Sequence, residues 1–170
     1  MKLFKNLLLA GVLFLGVMTT ANAQSKVAHI NSTELVAALP ETKQMQEELK
    51  KVAQAYDTEY KSQVNALQAK LQKYEAEAPT QTDAENQKRG LEVEELKKKL
   101  QVYAQEAQQQ LEKRRVDLYK PISEKAQKAI KEVAAAKSVH YVLDSSPGGG
   151  LIVFEGEDLM AAVKAKLGVK

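Results

Sequence analysis

The longest regular pattern in the chain lies at residues 41–78, which read ETKQMQEELKKVAQAYDTEYKSQVNALQAKLQKYEAEA. Apolar and aromatic side chains recur at steps of three and four, the spacing that places them on one face of an α-helix. No Gly or Pro interrupts the run, and Pro40 precedes it at a position where a first helical turn tolerates proline. The segment predicts one helix about 57 Å long. The stripe consists of Met45, Leu49, Val52, Tyr56, Tyr60, Val64, Leu67, Leu71, Tyr74 and Ala78.

A second helical pattern of nearly equal length follows a short turn at residues 79–83. Pro79 ends the first helix, and Thr82 or Asp83 can cap the second. Because the helices match in length and the connection is short, we expect an antiparallel helical hairpin, a coiled-coil arm, over residues 41–118. Pro121 predicts a kink, after which the stripe continues to about Ala136. The second stripe consists of Val93, Leu96, Leu100, Tyr103, Ala107, Leu111, Leu118 and Ile122.

The segments on either side of the arm, residues 24–40 and 119–170, predict a small α/β body. Residues 26–31 read as a strand, and Ser32 or Thr33 is expected to cap a short helix that runs to Leu39 and is closed by Pro40. Apolar runs at 139–144 and 151–154 predict two more strands. The fold class expected is therefore α+β, mostly helical, with the arm inserted into the body.

The turn and the end of the chain complete this body. The segment SSPGGG at 145–150 is rich in turn-forming residues, which predicts that the strands on either side of it form a hairpin. A final amphipathic helix is expected from Asp158 to Gly168.

A body of three short strands and two short helices is too small to be stable without help, and its sheet edges need covering. Self-association through the strands answers both needs, so we expect an oligomer. The side chains predicted for this oligomerisation body are Val27, Ile30, Val142, Leu143, Ile152, Val153 and Phe154.

The first 23 residues are typical of a secretory signal peptide. Lys2 and Lys5 precede an apolar run from Leu7 to Met18, and Ala21-Asn22-Ala23 predicts cleavage after Ala23. A run of 12 residues is shorter than the roughly 18 that a membrane anchor needs. We expect export to an oxidising compartment. The chain has no Cys, so it cannot use disulfides there, and packing or oligomerisation must stabilise it.

The charges argue against a nucleic-acid partner. The chain carries 25 basic and 22 acidic residues, and two of the lysines leave with the signal peptide, so no concentrated basic face is expected. The runs Lys97-Lys98-Lys99 and Lys113-Arg114-Arg115 allow weak contact with acidic clients or with lipid head groups. We interpret them first as the solvated face of a helix, because Glu residues lie close by.

Motifs for catalysis, cofactors or metals are weak, and we predict none of the three. His29 and His140 lie on predicted strands without a clustered set of other ligands, which favours structural roles. Ser145 and Ser146 are near His140 and Asp144 in sequence but lack a nucleophile-elbow pattern, so a turn is the better interpretation. The Gly run at 148–150 lacks the spacing of a phosphate loop and leads into a predicted strand.

Taken in order, these segments resemble the Skp/OmpH family of periplasmic chaperones. The resemblance is carried by the opening KVAHIN strand at 26–31, the helix closed by Pro40, the long hairpin, and Lys120-Pro121-Ile122 leading into residues 129–134. The closing strands and terminal helix complete it, so it covers essentially the whole mature chain. It implies a homotrimer whose arms enclose a cavity that holds unfolded outer-membrane β-barrel proteins.

The resemblance implies an ATP-independent holdase and allows a weak contact with lipopolysaccharide or a membrane surface. This chain differs from the strongly basic arms of familiar members, because residues 41–118 hold 14 basic and 15 acidic side chains. The alternative is a structural envelope adaptor whose arms bind one folded partner. Side chains near the hairpin seam are the candidates for client contact: Met45, Leu49, Tyr56, Tyr60, Leu67, Leu71, Tyr74, Leu96, Leu100 and Tyr103.

Overall fold

The computed structural model describes residues 25–169, so the predicted signal peptide lies outside the described residues. The α+β, mostly helical class is confirmed. No helix in the described part has the length and apolar character needed to cross a membrane. The elements, in chain order, are β1 (Val27–Ile30), α1 (Ser32–Ala38), α2 (Pro40–Glu77), a 3₁₀ turn (Ala78–Thr80), α3 (Asp83–Ala136), β2 (Tyr141–Asp144), β3 (Glu157–Asp158) and α4 (Met160–Leu167).

Helices α2 and α3 form the long hairpin that the periodicity predicted. Pro40 occupies the first turn of the 38-residue α2, and the 3₁₀ turn follows that helix directly. The side chain of Thr82 caps α3, where its Oγ1 accepts a hydrogen bond from the amide of Glu85 at 3.3 Å. The first half of α3 returns along α2 to the body. The predicted turn and its capping residue are confirmed. The prediction that Ser32 or Thr33 caps α1 is wrong, because Asn31 caps it and its side-chain oxygen accepts from the Glu34 amide at 2.9 Å.

Helix α3 runs on through Pro121 into the body, for 54 residues in all. Proline at this position removes one intrahelical hydrogen bond, because it has no N–H to donate. The predicted continuation of the helix to Ala136 is confirmed, whereas a bend of the helix axis at Pro121 stays a prediction.

The body contains a three-stranded sheet in the order β2-β1-β3, and both pairings are parallel. Val27 of β1 lies opposite Tyr141 of β2, and Ala28 lies opposite Glu157 of β3. The predicted hairpin between strands at 139–144 and 151–154 is therefore wrong. Residues 151–154 form no strand, and the chain instead crosses β1 to place β3 on its other side. The ring of Phe154 accordingly packs against His29 of β1, with centroids 4.8 Å apart and the ring planes tilted by 55°.

The core of the body lies between the inner face of β1 and the helices. Leu35 and Leu159 have no exposed surface, and Ile30 is 2% exposed. The inner face of the body-proximal part of α3 completes this cluster with Ile122, Ala126, Ala129 and Val133. The final helix begins at Met160, two residues later than predicted, because Asp158 pairs in β3 while its carboxylate accepts from the Met160 amide at 2.8 Å. It ends at the left-handed Gly168 as expected.

Candidate functional site

The seam of the hairpin is thin along most of its length. Between residues 49 and 118, Val93 is the one buried large side chain, at 7% exposure. Tyr60 is 40% exposed, and the rings of Tyr56 and Tyr103 meet edge to face with centroids 6.3 Å apart. The other predicted contact residues are half-buried in the seam, so they are partly accessible from solvent: Met45, Leu49, Tyr56, Leu67, Leu71, Tyr74, Leu96, Leu100 and Tyr103.

Two open grooves lie beside the seam at mid-arm, and both are lined by Leu67 and Leu100. The first groove has a volume of about 490 Å³ and is also lined by Tyr60, Lys97, Gln101, Ala104, Gln105 and Gln108. The second has about 360 Å³ and is also lined by Gln63, Ala66, Lys70, Leu96 and Lys99. Since successive helix residues turn by about 100°, Ala104 and Leu96 lie on opposite sides of Leu100. Leu67 and Leu100, which line both grooves, thus lie between them.

A polar cluster joins the two helices near the tip of the arm. Glu92 of α3 receives hydrogen bonds from Lys70 and from the Tyr74 hydroxyl, the latter at 2.6 Å. The Arg89 guanidinium lies over the Tyr74 ring, 4.6 Å from its centroid, and pairs with Glu77 at 2.9 Å. The hydrogen bond from Lys70 lowers the pKa of the Glu92 carboxyl, and the bond to Glu92 raises the pKa of Lys70.

Ion pairs also join the helices at the base of the arm. Arg114 contacts Glu48, with its Nε 2.9 Å from a carboxylate oxygen, and Lys125 pairs with Glu41. The hydrogen bond from Lys125 lowers the pKa of the Glu41 carboxyl. Between Leu49 and Ala69, no ion pair joins α2 to α3 within the described chain. The arm is therefore clamped at both ends and held only by its thin seam in the middle.

The residues of these ion pairs are not among the predicted site residues. A turn centred near Gln81 places Lys70 opposite Glu92 and Glu48 opposite Arg114, because the two members of each pair are equally far from the turn. Reflecting the chain about its turn would have found both pairs.

The outer face of the sheet is apolar and open to solvent. Val27, Leu143 and Tyr141 are exposed on it, and the adjoining crossing segment presents Ile152 at 96% exposure together with Val153 and Phe154. Of the side chains predicted for the oligomerisation body, Ile30 packs in the core of its own body, and Val142 is half-buried against that core. The remaining five lie at the surface.

Of the residues considered for chemistry, His29 contacts the Phe154 ring, but its buried Nδ1 has no hydrogen-bond partner among residues 25–169. The others have structural partners. His140 Nδ1 accepts a hydrogen bond from the Lys26 amide at 3.2 Å. Within residues 25–169, no group of three or more His, Cys, Asp or Glu side chains is placed to hold a metal ion. The glycine run lies in a turn where Gly148 and Gly150 have φ of +86° and the Gly149 amide donates to the Ser146 carbonyl at 2.8 Å.

Asp144 closes the same turn and connects it to the first helix. Its carboxylate accepts from the Ser32 hydroxyl and from the amides of Ser32 and Ser146. Burial acts to raise the pKa of Asp144, but these hydrogen bonds outweigh it and lower the pKa to about 2. Asp144 thus joins the end of β2 to the start of α1, which is a structural role.

Comparison with known proteins agrees with this architecture. A family profile described as outer membrane protein (OmpH-like) matches residues 26–167. This chain belongs to the OmpH-like family. The resemblance inferred from the sequence is therefore confirmed, and the matched residues include the whole arm and nearly all of the body. No curated protein matches the sequence.

The fold of this OmpH-like chain is shared by a solved structure. A crystal structure of a candidate outer membrane chaperone (OmpH-like) from Caulobacter crescentus CB15 superposes with a TM-score of 0.73. The alignment covers 85% of each chain at 19% sequence identity. At that identity the similarity establishes the fold alone. It does not show that the Caulobacter protein has the same groove residues.

Proposed function

We propose that this chain is an ATP-independent holdase chaperone of the periplasm that keeps unfolded outer-membrane proteins between the arms of an oligomer. The observation that carries the proposal is the mid-arm seam, where half-buried Leu side chains and the exposed ring of Tyr60 border open grooves. Membership of the OmpH-like family and the fold shared with the Caulobacter protein support it. Part of the apolar surface of the arm is thus available to a partner without unfolding of the body.

Many weak contacts suit a protein that must hold a client and later release it without fuel. A half-buried Leu contributes only part of the roughly 1.5–3 kcal/mol that its full burial provides, so each client contact is weak. Several arms around one cavity raise the effective concentration of such contacts and lengthen retention. Release then follows when the client folds or is transferred, because folding removes the apolar surface that the arms contact.

The cavity requires an oligomer, which we propose is a homotrimer formed through the bodies. The open apolar face around Val27, Leu143 and Tyr141, continued by Ile152 and Val153, supports self-association there. Both edge strands, β2 and β3, also present unpaired backbone groups along their outer edges. A second copy that covers this face would remove the largest exposed apolar side chains of the body from water.

The proposed compartment is the periplasm, reached through the N-terminal signal and cleavage after Ala23. A chain without Cys forms no disulfides under the oxidising conditions there. The competing adaptor function would require a distinct apolar docking patch at the arm tip. The tip instead carries the charged cluster of Lys70, Glu77, Arg89 and Glu92, which the hairpin uses to join its own helices.

Light scattering tests the proposal. A urea-unfolded outer-membrane β-barrel protein is diluted into buffer with and without the purified mature chain, in the absence of nucleotide. We expect the chain to suppress scattering, with saturation near one oligomer per client. Continued aggregation in the presence of an intact oligomer would refute the holdase function and favour the structural adaptor. Sedimentation of the chain alone gives the oligomer number independently.

A further inference from the structure

The larger mid-arm groove is electrically neutral although a lysine lines it. Lys97 forms an ion pair with Glu94 at 2.7 Å on its own helix. Beside the smaller groove, Lys99 pairs with Glu95 at 2.7 Å and Lys70 pairs with Glu92. Each lysine beside the grooves thus has an acidic partner. A ligand recognised mainly by its negative charge gains little here, whereas an uncharged ligand meets no unpaired charge.

The wall of the larger groove combines apolar side chains with three glutamines. Leu67, Leu100, Ala104 and the exposed ring of Tyr60 form the apolar part. The three glutamines, Gln101, Gln105 and Gln108, are exposed, and none of their side-chain amides hydrogen-bonds another residue in the range 25–169. Each amide offers two N–H donors and a carbonyl acceptor.

This chemistry matches the backbone of an unfolded polypeptide. An extended chain has free N–H and C=O groups and alternates its side chains between two sides. The groove runs along α3 from Lys97 to Gln108, about 17 Å at 1.5 Å per residue. An extended segment of about five residues, at about 3.3 Å each, spans that length.

We propose that this groove is a docking site for an extended, uncharged segment of an unfolded client. Its apolar or aromatic side chains pack on Leu67, Leu100 and Ala104, and its backbone groups hydrogen-bond the amides of Gln101, Gln105 and Gln108. The proposal rests on the proposed holdase function and specifies how the arm recognises its client. Recognition by amides and apolar contact suits client strands in which apolar residues alternate with uncharged polar ones.

A helix from a second copy fits the groove less well than an extended chain does. The backbone groups of a helix are already paired with one another, so they cannot use the three glutamine amides. An acidic peptide would find the nearest cation, Lys97, already paired with Glu94. These two occupants are therefore outcomes that the experiment must distinguish.

The experiment measures the affinity of the assembled mature chain for a fluorescently labelled, urea-unfolded outer-membrane β-barrel protein. One variant carries Gln101→Ala and Gln105→Ala in the groove. The matched control carries Gln109→Ala and Gln110→Ala, which remove the same groups from exposed positions on the same helix outside the groove lining. Circular dichroism and sedimentation verify that both variants keep helicity and assembly.

We expect the groove variant to raise Kd about fivefold while the control stays within twofold of the wild type. Raising NaCl from about 0.05 to 0.5 M, which shortens electrostatic screening lengths severalfold, should change the wild-type Kd by less than twofold. Equal Kd values for the two variants, or a tenfold salt effect, would overturn the proposal. A change of self-association in the groove variant without client would assign the groove to a second copy.

The two proposals fail in different ways. A wild-type chain that binds no unfolded client contradicts the holdase function itself. A wild-type chain that binds tightly, with a groove variant that binds equally tightly, contradicts only the site and leaves the holdase function in place.

Discussion

The arm and the body of this protein are packed by different means. The body surrounds fully buried Leu35, Leu159 and Val163 with two layers of helix and sheet. The arm buries one large side chain, Val93, along its distal and middle length, and its helices are joined by ion pairs at the tip and base. One chain can thus combine a tightly packed body with a weakly packed arm whose apolar side chains stay accessible.

The difference also separates stability from function. A tight core resists substitution of any member, because the cavity left behind collapses only in part. A thin seam tolerates substitution, since its side chains are already half in water. We therefore expect changes in the body to alter folding and assembly, and changes in the arm to alter client binding.

The strongest test removes the arm. Replacing residues 49–113 with a short flexible linker keeps Glu48 and Arg114, which contact each other at the arm base, and keeps Met45, which packs against the core. We expect complete loss of aggregation suppression and an unchanged oligomer number by sedimentation. Full suppression by the armless chain would show that the body binds the client, and would contradict the assignment of client binding to the arm.

The second prediction concerns the same substitution, Leu to Ala, made once in the body core and once in the arm seam. Leu35→Ala should lower the free energy of unfolding by about 2–5 kcal/mol, because Leu35 has no exposed surface in the body core. Leu71→Ala, at a half-buried seam position, should cost about 1 kcal/mol. Urea unfolding followed by circular dichroism measures both. Equal losses would show that the arm and the body are packed with similar strength.

Substituting glycine by alanine should have opposite effects on stability in the arm and in the body. A Cβ at Gly90 would meet no atom within 4 Å, so Gly90→Ala should stabilise the arm by about 0.5–1 kcal/mol through helix propensity. Gly168→Ala is the matched control in the body and should destabilise it, because Gly168 has a φ of +71°. Thermal melts of the two variants should shift in opposite directions. A decrease for Gly90→Ala would indicate that the tip needs a flexible residue there.

The smallest expected effect concerns pH and the body. The pKa of Asp144 is lowered from 3.8 to about 2, so its contribution to stability is present above about pH 4 and is lost as the pH falls towards 2. Asp144 is solvent-exposed, so the contribution should be under about 1 kcal/mol. Asp144→Asn should be less stable than the wild type at pH 6. Its urea midpoint should approach that of the wild type below pH 2, and a constant difference at every pH would contradict this assignment.

Most of the hairpin could be predicted from residue spacing. The stripe from Met45 to Ala78, the turn after it and the cap at Thr82 are local signals, and the structure confirms each of them. The seam candidates from the same stripe lie at the seam, half-buried except for Tyr60. The grooves were not predicted, because they depend on which helix side chains meet across the hairpin.

The sheet shows where local signals are insufficient. The apolar run Leu151-Ile152-Val153-Phe154 reads as a strand, yet it crosses the outer face of β1, and the polar pair Glu157-Asp158 forms β3 instead. Glu157 is held there by Lys26 and Lys137, each at 2.8 Å, and their hydrogen bonds lower its pKa to about 2. Contacts between residues so distant along the chain cannot be predicted from residue spacing.

The helical hairpin and the family could be inferred from the sequence alone, because a helix pairs each residue with one four positions away and its pattern is therefore local. The parallel strand order, the exposed face of the body and the neutral glutamine-lined groove are visible only in the folded chain. Those features arise where segments far apart in the chain meet. Their free energy depends on which partner each side chain finds, and spacing along the chain does not specify that partner.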